Sequence, residues 1–542
     1  MKTRPIILVL MVLLTSFASA VSAQVPTHYE GLRAELQEST KLNELLVELT
    51  QVKLNKAVPV LNSLEALAGE DLLPLFQTML KGDLYYIKSD RSLVAKDDGI
   101  YKGVFSGKLK ENLSRSNTKK IRVNNKLRRT LRESISRIQL NSPKASVREQ
   151  AIISLLSELD SSIMQTLNER KQIEEDGDVL DVMDVAFAMY TVQKSESVSE
   201  KVDAIGFLGG RLENDVRNLL MQVKANSDNA QVNAAVAKAL KSIEQRVENF
   251  QFVDKLFFGL SLGSVLLLAA IGLAITFGVM GVINMAHGEM IMLGAYTTYV
   301  VQMFIPVDYS IWVAIPAAFV VSGLVGILIE RGVIRHLHGR PLETLLATFG
   351  ISLILQQLVR TIFSPLNRQV EAPSWMSGSL DINPVLSLTM NRLYILAFAL
   401  LVFGLLLLIL NKTSLGLNVR AVAQNRSMAK AMGIRTDRVD AMTFGLGSGI
   451  AGMAGVALSQ LTNVGPNLGQ AYIIDSFMVV VFGGVGNLWG TLVAGFSLGI
   501  ANKFIEPITG AVLASILVLI FIILFIQKRP KGLFPQKGRA AE

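Results

Sequence analysis

A short run of polar residues interrupts a long apolar stretch near the middle of this sequence. Asn284, His287, Gly288 and Glu289 follow residues 256–283, which contain no charged side chain. Amide, imidazole and carboxylate groups are costly at membrane depth unless they face a cavity or other protein groups. The run therefore predicts a site that hydrogen-bonds a polar molecule inside a membrane. An interfacial turn between two helices explains the same pattern.

Three more polar residues fall in the last apolar part of the chain. Asn463 and Asn467 flank Pro466 and interrupt residues 441–474, which carry no charge. Asp475 follows, and it either caps the next helix or lies at the mouth of a pathway. We group these three residues with the first run as candidates for one polar pathway.

The most basic segment of the second half is residues 412–440. Its ionisable side chains are Lys412, Arg420, Arg426, Lys430, Arg435 and Arg438 against Asp437 and Asp440. Apolar residues at helical spacing predict a short amphipathic helix, with Gly433 as a candidate C-cap. The positive charge places this loop in the cytoplasm. A solvated connector and a docking helix for a partner both fit this composition.

Apolar segments of membrane-spanning length must position these sites. The predicted spans are residues 256–283, 311–329, 344–363, 393–411, 441–461 and 507–527. Residues 476–502 form either one re-entrant hairpin or two spans. We therefore predict a polytopic helix bundle with seven or nine crossings, an exported N-terminal side and a cytoplasmic C-terminus.

Glycines mark two further features of this half. Gly445 and Gly449, four residues apart, predict close packing between membrane helices. Four closely spaced glycines predict a tight or re-entrant turn, namely Gly483, Gly484, Gly486 and Gly490.

The N-terminus is typical of a cleavable secretory signal peptide over residues 1–23. Lys2 and Arg4 precede nine consecutive apolar residues, 6–14, and small residues follow. Nine residues fall short of the roughly 20 that a spanning helix needs. Residues 24–250 are therefore expected in the periplasm.

Residues 24–250 carry the 3.6-residue periodicity of helices, so the predicted fold class is all-α throughout the chain. Similar runs at residues 147–155 and 232–240 resemble HEAT-type helical repeats. The polar, glycine-containing residues 89–125 are predicted to be a long loop.

Composition separates the two halves and excludes several functions. Half of the 542 residues are hydrophobic, the net charge is +9, and there is no cysteine. Without cysteine there can be no disulfide or thiolate metal site, and we predict neither a metal nor a cofactor. The basic residues of the membrane half lie in short loops, so topology explains them and no nucleic-acid partner is expected.

Four segments together resemble the ABC permeases for branched-chain amino acids and urea. They are residues 283–288, 420–434, 482–495 and 529–534, and the first reads Ile-Asn-Met-Ala-His-Gly, like the family's Ile-Asn-x-Ala-His-Gly. The resemblance covers about residues 252–536. Residues 463–470 and 475–490, with the long exported domain, look most like the urea-type subunit.

The resemblance implies a transmembrane permease domain over residues 251–542 that imports a small polar solute. Urea is the expected solute, and a branched-chain amino acid or a short amide is the alternative. The implied partners are a paralogous second permease, two ATPase subunits, a periplasmic binding protein and membrane lipid. Because the chain lacks the P-loop pattern G-x-x-x-x-G-K-[ST], ATP hydrolysis is expected in the separate ATPase subunits, and this chain is not expected to be an enzyme.

In that family the basic loop contacts the ATPase. The residues expected to couple the two proteins are Arg420, Ala421, Gln424, Arg426, Ala429, Met432, Gly433 and Ile434. Ala429 and Gly433 are small enough for close approach of the ATPase, and Arg426 is expected to pair with its carboxylates.

Two functions of other classes remain open from the residues alone. A gradient-driven transporter needs intramembrane ionisable relays, of which this half offers few. A membrane receptor needs a cytoplasmic signalling domain, and only short loops and a tail are predicted there.

Overall fold

The computed structural model of the chain describes residues 40–52, 56–89, 91–97, 100–105, 113 and 117–535. The predicted signal peptide at residues 1–23 lies outside these described residues. The chain divides into two compact units between Ile243 and Glu244.

Helices dominate the first unit. In chain order they are α1 Thr40–Gln51, α2 Ala57–Ala68, α3 Leu73–Lys81, α4 Asn125–Leu140, α5 Ala145–Leu155, α6 Ser161–Lys171, α7 Gly177–Lys194, α8 Val198–Leu208 and α9 Asn214–Asn226. Polar side chains cap the N-termini of several helices: Asn124 accepts a hydrogen bond from Leu127 N at the start of α4, and Asp160 accepts one from Ile163 N at the start of α6. Leu61, Leu64 and Phe76 are fully buried in the core of α1–α4.

The all-α prediction is wrong for part of this unit. Residues 84–120 contain a four-stranded antiparallel sheet in the order β3-β2-β1-β4, where a long loop was predicted. Its strands are β1 Leu84–Ile87, β2 Leu93–Asp97, β3 Ile100–Gly103 and β4 Thr118–Lys120. Strands of three to five residues are too short to give a clear alternating pattern, so the sequence signal was missed.

The second unit is built from longer, more apolar helices. They are α10 Ala230–Met280, which begins in the first unit, α11 His287–Phe304, α12 Val307–Gly332, α13 Pro341–Phe363, α14 Met390–Lys412, α15 Ser414–Gln424, α16 Arg426–Ala431, α17 Thr436–Ser459, α18 Leu468–Gly483, α19 Leu488–Thr509 and α20 Ala511–Lys528. A two-stranded hairpin, β5 Ser379–Asp381 and β6 Ser387–Thr389, precedes α14.

Seven of the described helices are long and apolar enough to cross a membrane, namely α10, α12, α13, α14, α17, α19 and α20. Helix α18 is apolar but has only 16 residues. The choice between seven and nine crossings therefore stays a prediction. The predicted last span over residues 507–527 corresponds to α20, which begins four residues later. Pro507 lies in the last turn of α19, and Gly510, at φ +85°, separates the two helices.

Helix α17 lies at the centre of this bundle and packs against α11 and α12. Its face toward these neighbours is rich in glycine and serine, so the backbones approach closely. A side chain at Gly445 would overlap Ile327, and one at Gly449 would overlap Phe319. Both contacted residues belong to α12.

Candidate functional site

The polar run predicted from the sequence occupies a break between α10 and α11. Gly281 leaves the helix at φ +66°, and α11 begins at His287. Asn284 Oδ1 accepts a hydrogen bond from Ala286 N at 3.0 Å, and His287 Nε2 donates to Ala269 O at 2.8 Å. Both side chains are almost fully buried, so the break is held inside the bundle by its own polar groups.

Glu289 is fixed by a neighbouring helix. Its Oε1 accepts hydrogen bonds from Ser352 Oγ at 2.8 Å and from Gln356 Nε2 at 2.7 Å, while Oε2 has no partner. Met285 N donates to Thr348 Oγ1 at 3.1 Å. A buried carboxylate with one free oxygen retains capacity to accept a further hydrogen bond.

Helix α13 thus presents a polar stripe at four-residue spacing. Its members are Thr348, Ser352, Gln356 and Arg360, and the last donates to Asn467 Oδ1 at 2.7 Å. The stripe brings Asn284–Glu289 and Asn467 onto one connected surface. Thr348 and Ser352 were missed from the sequence, because hydroxyls in an apolar helix usually bond to its own backbone.

The other predicted pathway residues lie elsewhere. Asn463 is exposed in the segment before α18 and does not join the stripe. Asp475 lies in the middle of α18, so the interpretation as a helix cap is wrong; the helix starts at Leu468, seven residues earlier.

Glycine contacts draw α18 against the break. A side chain at Gly288 would overlap Gly469 O, because α11 and α18 cross there backbone to backbone. The turn between α18 and α19 uses Gly484 at φ +105° and Gly486 at φ +81°. Gly483 and Gly490 pack directly on each other across this turn.

The basic loop forms two short helices rather than one. Asn425, in extended conformation, ends α15 and caps α16 by accepting from Met428 N at 2.9 Å. Gly433 follows at φ +88°, where Ile434 N donates to Ala429 O at 3.0 Å. These are the contacts of a glycine C-cap.

Three of the residues expected to contact an ATPase also contact other parts of this chain. Ala429 is buried against Val419, Val422 and Val439.

Arg426 forms an ion pair with Asp440, whose side chain is only 3% exposed, and Arg420 donates to Leu410 O at the end of α14. The sequence could not place them, because the partners lie on other helices.

The solvent-facing residues of the loop are different. Leu417, Met428 and Met432 are 61%, 62% and 78% exposed, and Gln424, Lys430 and Arg435 are exposed near them in sequence. We call Leu417, Gln424, Met428 and Met432 the loop surface.

The fold and the polar break define the class of protein, a multi-pass membrane protein with a partly polar interior. Residues 255–526 match the family described as "Branched-chain amino acid transport system / permease component". The chain belongs to this family.

Individual relatives agree with this family. The high-affinity branched-chain amino acid transport system permease protein LivH of Salmonella typhimurium is 31% identical over 296 residues, covering 52% of this chain and 95% of the relative. BraD of Pseudomonas aeruginosa, which has the same description, is 30% identical over 299 residues, covering 53% and 96%. The probable branched-chain amino acid transport permease protein LivH of Methanocaldococcus jannaschii is 30% identical and covers 45% and 77%. No solved structure matches the chain.

Proposed function

We propose that this chain is the membrane-spanning permease subunit of an ATP-driven importer whose solute is a branched-chain amino acid. The observation that carries the proposal is the match to nearly the full length of permease proteins that serve such solutes. The partners are then a paralogous second permease, two ATPases and a periplasmic binding protein.

Urea is the second candidate solute. It is favoured by the resemblance of residues 463–470 and 475–490 to urea-type permeases and by the long region that precedes the matched segment. The curated relatives support the amino-acid alternative better than this first expectation.

The polar stripe and the break at Asn284–Glu289 are proposed to contact the solute on its way through the bundle. The free Oε2 of Glu289 and the unpaired Nδ2 of Asn284 supply an acceptor and a donor. Asn467 extends this surface through its bond to Arg360.

The loop surface is proposed to dock in a groove of the ATPase. Water does not favour exposure of Leu417, Met428 and Met432, whereas an apolar groove does. The Arg426–Asp440 ion pair joins α16 to α17, so a displaced loop would move the helix that packs on α11 and α12. ATP binding and hydrolysis would in this way open the pathway alternately to each side.

The remaining expectations concern location. Residues 24–250 are proposed to be a periplasmic, HEAT-like scaffold that follows a cleaved signal peptide, with the C-terminus in the cytoplasm. A reporter fusion near residue 200 that is active only in the cytoplasm would contradict this topology.

The solute is tested by reconstituting the complete importer in proteoliposomes, with ATP on the side of the membrane that the ATPase subunits face. We expect ATP-dependent accumulation of labelled L-leucine. If urea accumulates and L-leucine does not, the solute is urea, and the assignment as a permease subunit still holds. Uptake that needs an ion gradient and no ATPase would contradict the assignment.

Docking is tested with Met432→Glu, which places a charge on the loop surface. We expect the ATPase to dissociate from the permease during purification, while permease abundance in the membrane is unchanged. Met221→Glu is the matched control, because Met221 is an exposed methionine of the first unit. If the Met432→Glu variant retains the ATPase, the loop only connects two helices and does not dock the ATPase.

A further inference from the structure

A cavity separate from the polar break lies between α10 and α19. Its volume is about 300 Å³, and its lining consists of Asp254, Lys255, Phe258, Lys503, Glu506 and Pro507. Asn487, which caps the other end of α19, donates through Nδ2 to Phe534 O of the C-terminal tail at 3.2 Å. The cavity therefore lies at the end of α19 away from the tail, and its volume is within the range of small-molecule sites.

Glycine contacts hold the two helices together beside the cavity. A side chain at Gly259 would overlap the backbone of Ile500. One at Gly263 would overlap the backbone of Phe496, so α10 and α19 run antiparallel in close contact there. Larger side chains follow on both helices toward the cavity, so the gap opens where the glycine contacts end.

Both signs of charge line the cavity, and two of its four charged groups are unpaired. Lys503 Nζ and Glu506 Oε2 form an ion pair at 2.6 Å. The side chains of Asp254 and Lys255 form no hydrogen bond or ion pair with any described residue, and both residues are partly buried. Partly desolvated charges without partners are costly. A carboxylate acceptor and an ammonium donor are therefore available to a ligand.

Exposed apolar side chains follow the cavity in the chain. Pro507, which lines it, is followed by Ile508, Val512 and Leu513, which are 85%, 74% and 56% exposed. They belong to the last turn of α19 and the first turn of α20. A molecule with a charged head and apolar chains would satisfy both surfaces, whereas a small soluble ion would leave the apolar side chains uncovered.

We propose that this cavity binds the head group of a phosphatidylethanolamine. Lys255 donates to the phosphate, and the ammonium group of the lipid donates to Asp254. The acyl chains cover the exposed apolar residues of α19 and α20. The guanidinium carbon of Arg392 lies 4.8 Å from the centroid of the Phe258 ring, so its charge is next to the cavity and favours the phosphate. The ligand is a lipid rather than the transported solute, so the site is independent of the proposed importer function.

The charges of the cavity favour this head group over those of other phospholipids. Asp254 and Glu506 balance Lys255 and Lys503, so a zwitterionic head group leaves no net charge among them. Phosphatidylglycerol has the phosphate but no ammonium group to neutralise Asp254. Phosphatidylcholine has a quaternary ammonium group without N–H donors, so it cannot form the hydrogen bond to this carboxylate.

The test uses the purified full-length protein, stripped of lipid in detergent and titrated with single lipids in native mass spectrometry. We expect saturable binding of phosphatidylethanolamine with a Kd at least about tenfold lower than for phosphatidylcholine or phosphatidylglycerol with the same acyl chains. The difference corresponds to the charge-assisted hydrogen bond to Asp254, which the other two lipids cannot form. Equal affinity for the three lipids overturns the proposal.

Two variants test the assigned groups. Asp254→Asn should weaken binding of phosphatidylethanolamine about tenfold and leave phosphatidylglycerol unchanged. Lys255→Gln should weaken all three lipids, because each carries the phosphate. Lys528→Gln is the matched control, because Lys528 is exposed at the end of α20 away from the cavity. Thermal unfolding without lipid verifies that each variant is folded, and wild-type affinities in both folded variants overturn the site.

Competition with phosphoethanolamine, the head group without its chains, needs no variant. We expect it to displace the bound lipid at least about tenfold more weakly than the intact lipid does, because the apolar contacts are lost. Equal displacement would overturn the lipid in favour of a soluble ligand. If no lipid binds and Lys255→Gln releases the second permease from the purified importer, the cavity is instead a protein interface.

Discussion

The two units differ in how their helices pack. In the first unit the core consists of large apolar residues such as Leu61, Leu64 and Phe76, none of which is exposed. In the membrane unit, α17 contacts its neighbours through many glycine and alanine residues. The most apolar segment of α17 is 83% buried, whereas that of α20 is only 17% buried.

The difference follows from the solvent that each unit meets. Water drives large apolar side chains inward, because their burial removes apolar surface from it. Lipid is as apolar as leucine and exerts no such force, so membrane helices associate through close packing of small residues. Large side chains therefore stabilise the first core, whereas at the glycine contacts of the second they would force the helices apart.

The strongest test of this comparison is Gly294→Leu in α11. A side chain here would overlap Gly452 O of α17, so the two helices must separate. We expect the variant to accumulate to about a tenth of wild type or less, since destabilised proteins are degraded. Immunoblotting of membrane fractions measures this.

The matched control is Gly404→Leu, because Gly404 of α14 has no atom within 4 Å of the added Cβ position. It should accumulate normally. Equal loss of both variants would mean that glycine is needed for reasons other than helix contact.

A large-to-small substitution tests the core of the first unit. Phe76→Ala removes a fully buried ring and should lower the free energy of unfolding by about 3–5 kcal/mol, from lost burial and the cavity that remains. Urea denaturation of the full-length protein in detergent measures it. Ile100→Ala, at a half-exposed position, is the control and should change little. A small loss at Phe76 would contradict the core assignment.

Charge pairing in the first unit gives a pH-dependent prediction. Hydrogen bonds from Arg148 lower the pKa of Glu174 from 4.5 to about 2, and Arg170 adds to this electrostatically. Because the folded-state pKa lies below the unfolded value, the pair's contribution is complete above pH 4.5 and is lost as the pH falls toward 2. Glu174→Gln should therefore cost about 1.5–3 kcal/mol at pH 7 and progressively less toward pH 2.

Unfolding of the full-length protein at pH 7, 4 and 3 measures that trend. Glu133→Gln is the control, because its partner Arg129 is 54% exposed and ion pairs exposed to solvent contribute little to stability. A pH-independent loss at Glu174 would assign the effect to packing rather than ionisation.

The smallest effect is expected for Leu524→Ala on α20. Leu524 is 59% exposed within the bundle, so the change should stay within about 0.5 kcal/mol. Leu268→Ala on α10 removes a fully buried leucine and should cost about 2–5 kcal/mol. Similar thermal stability of the two variants in detergent would contradict the expected difference between exposed and buried leucines of the membrane unit.

The parts predicted well from the sequence are those with long, one-dimensional signals. Charge-free runs located most of the membrane helices within a few residues, and Gly433 marked the end of α16. The sheet at residues 84–120 was missed because its strands are short and its pairing is non-local. The contacts of Ala429 and Arg426 within the chain were not predicted, because their neighbours lie on other helices.

The sequence by itself determined the family, the apolar spans and the polar break at Asn284–Glu289, because composition and short motifs are properties of consecutive residues. The tertiary structure alone decided which polar groups meet. It set Ser352 and Gln356 against Glu289 and joined Arg360 to Asn467. Helix packing fixes such contacts between residues far apart in the chain, and no local pattern encodes them.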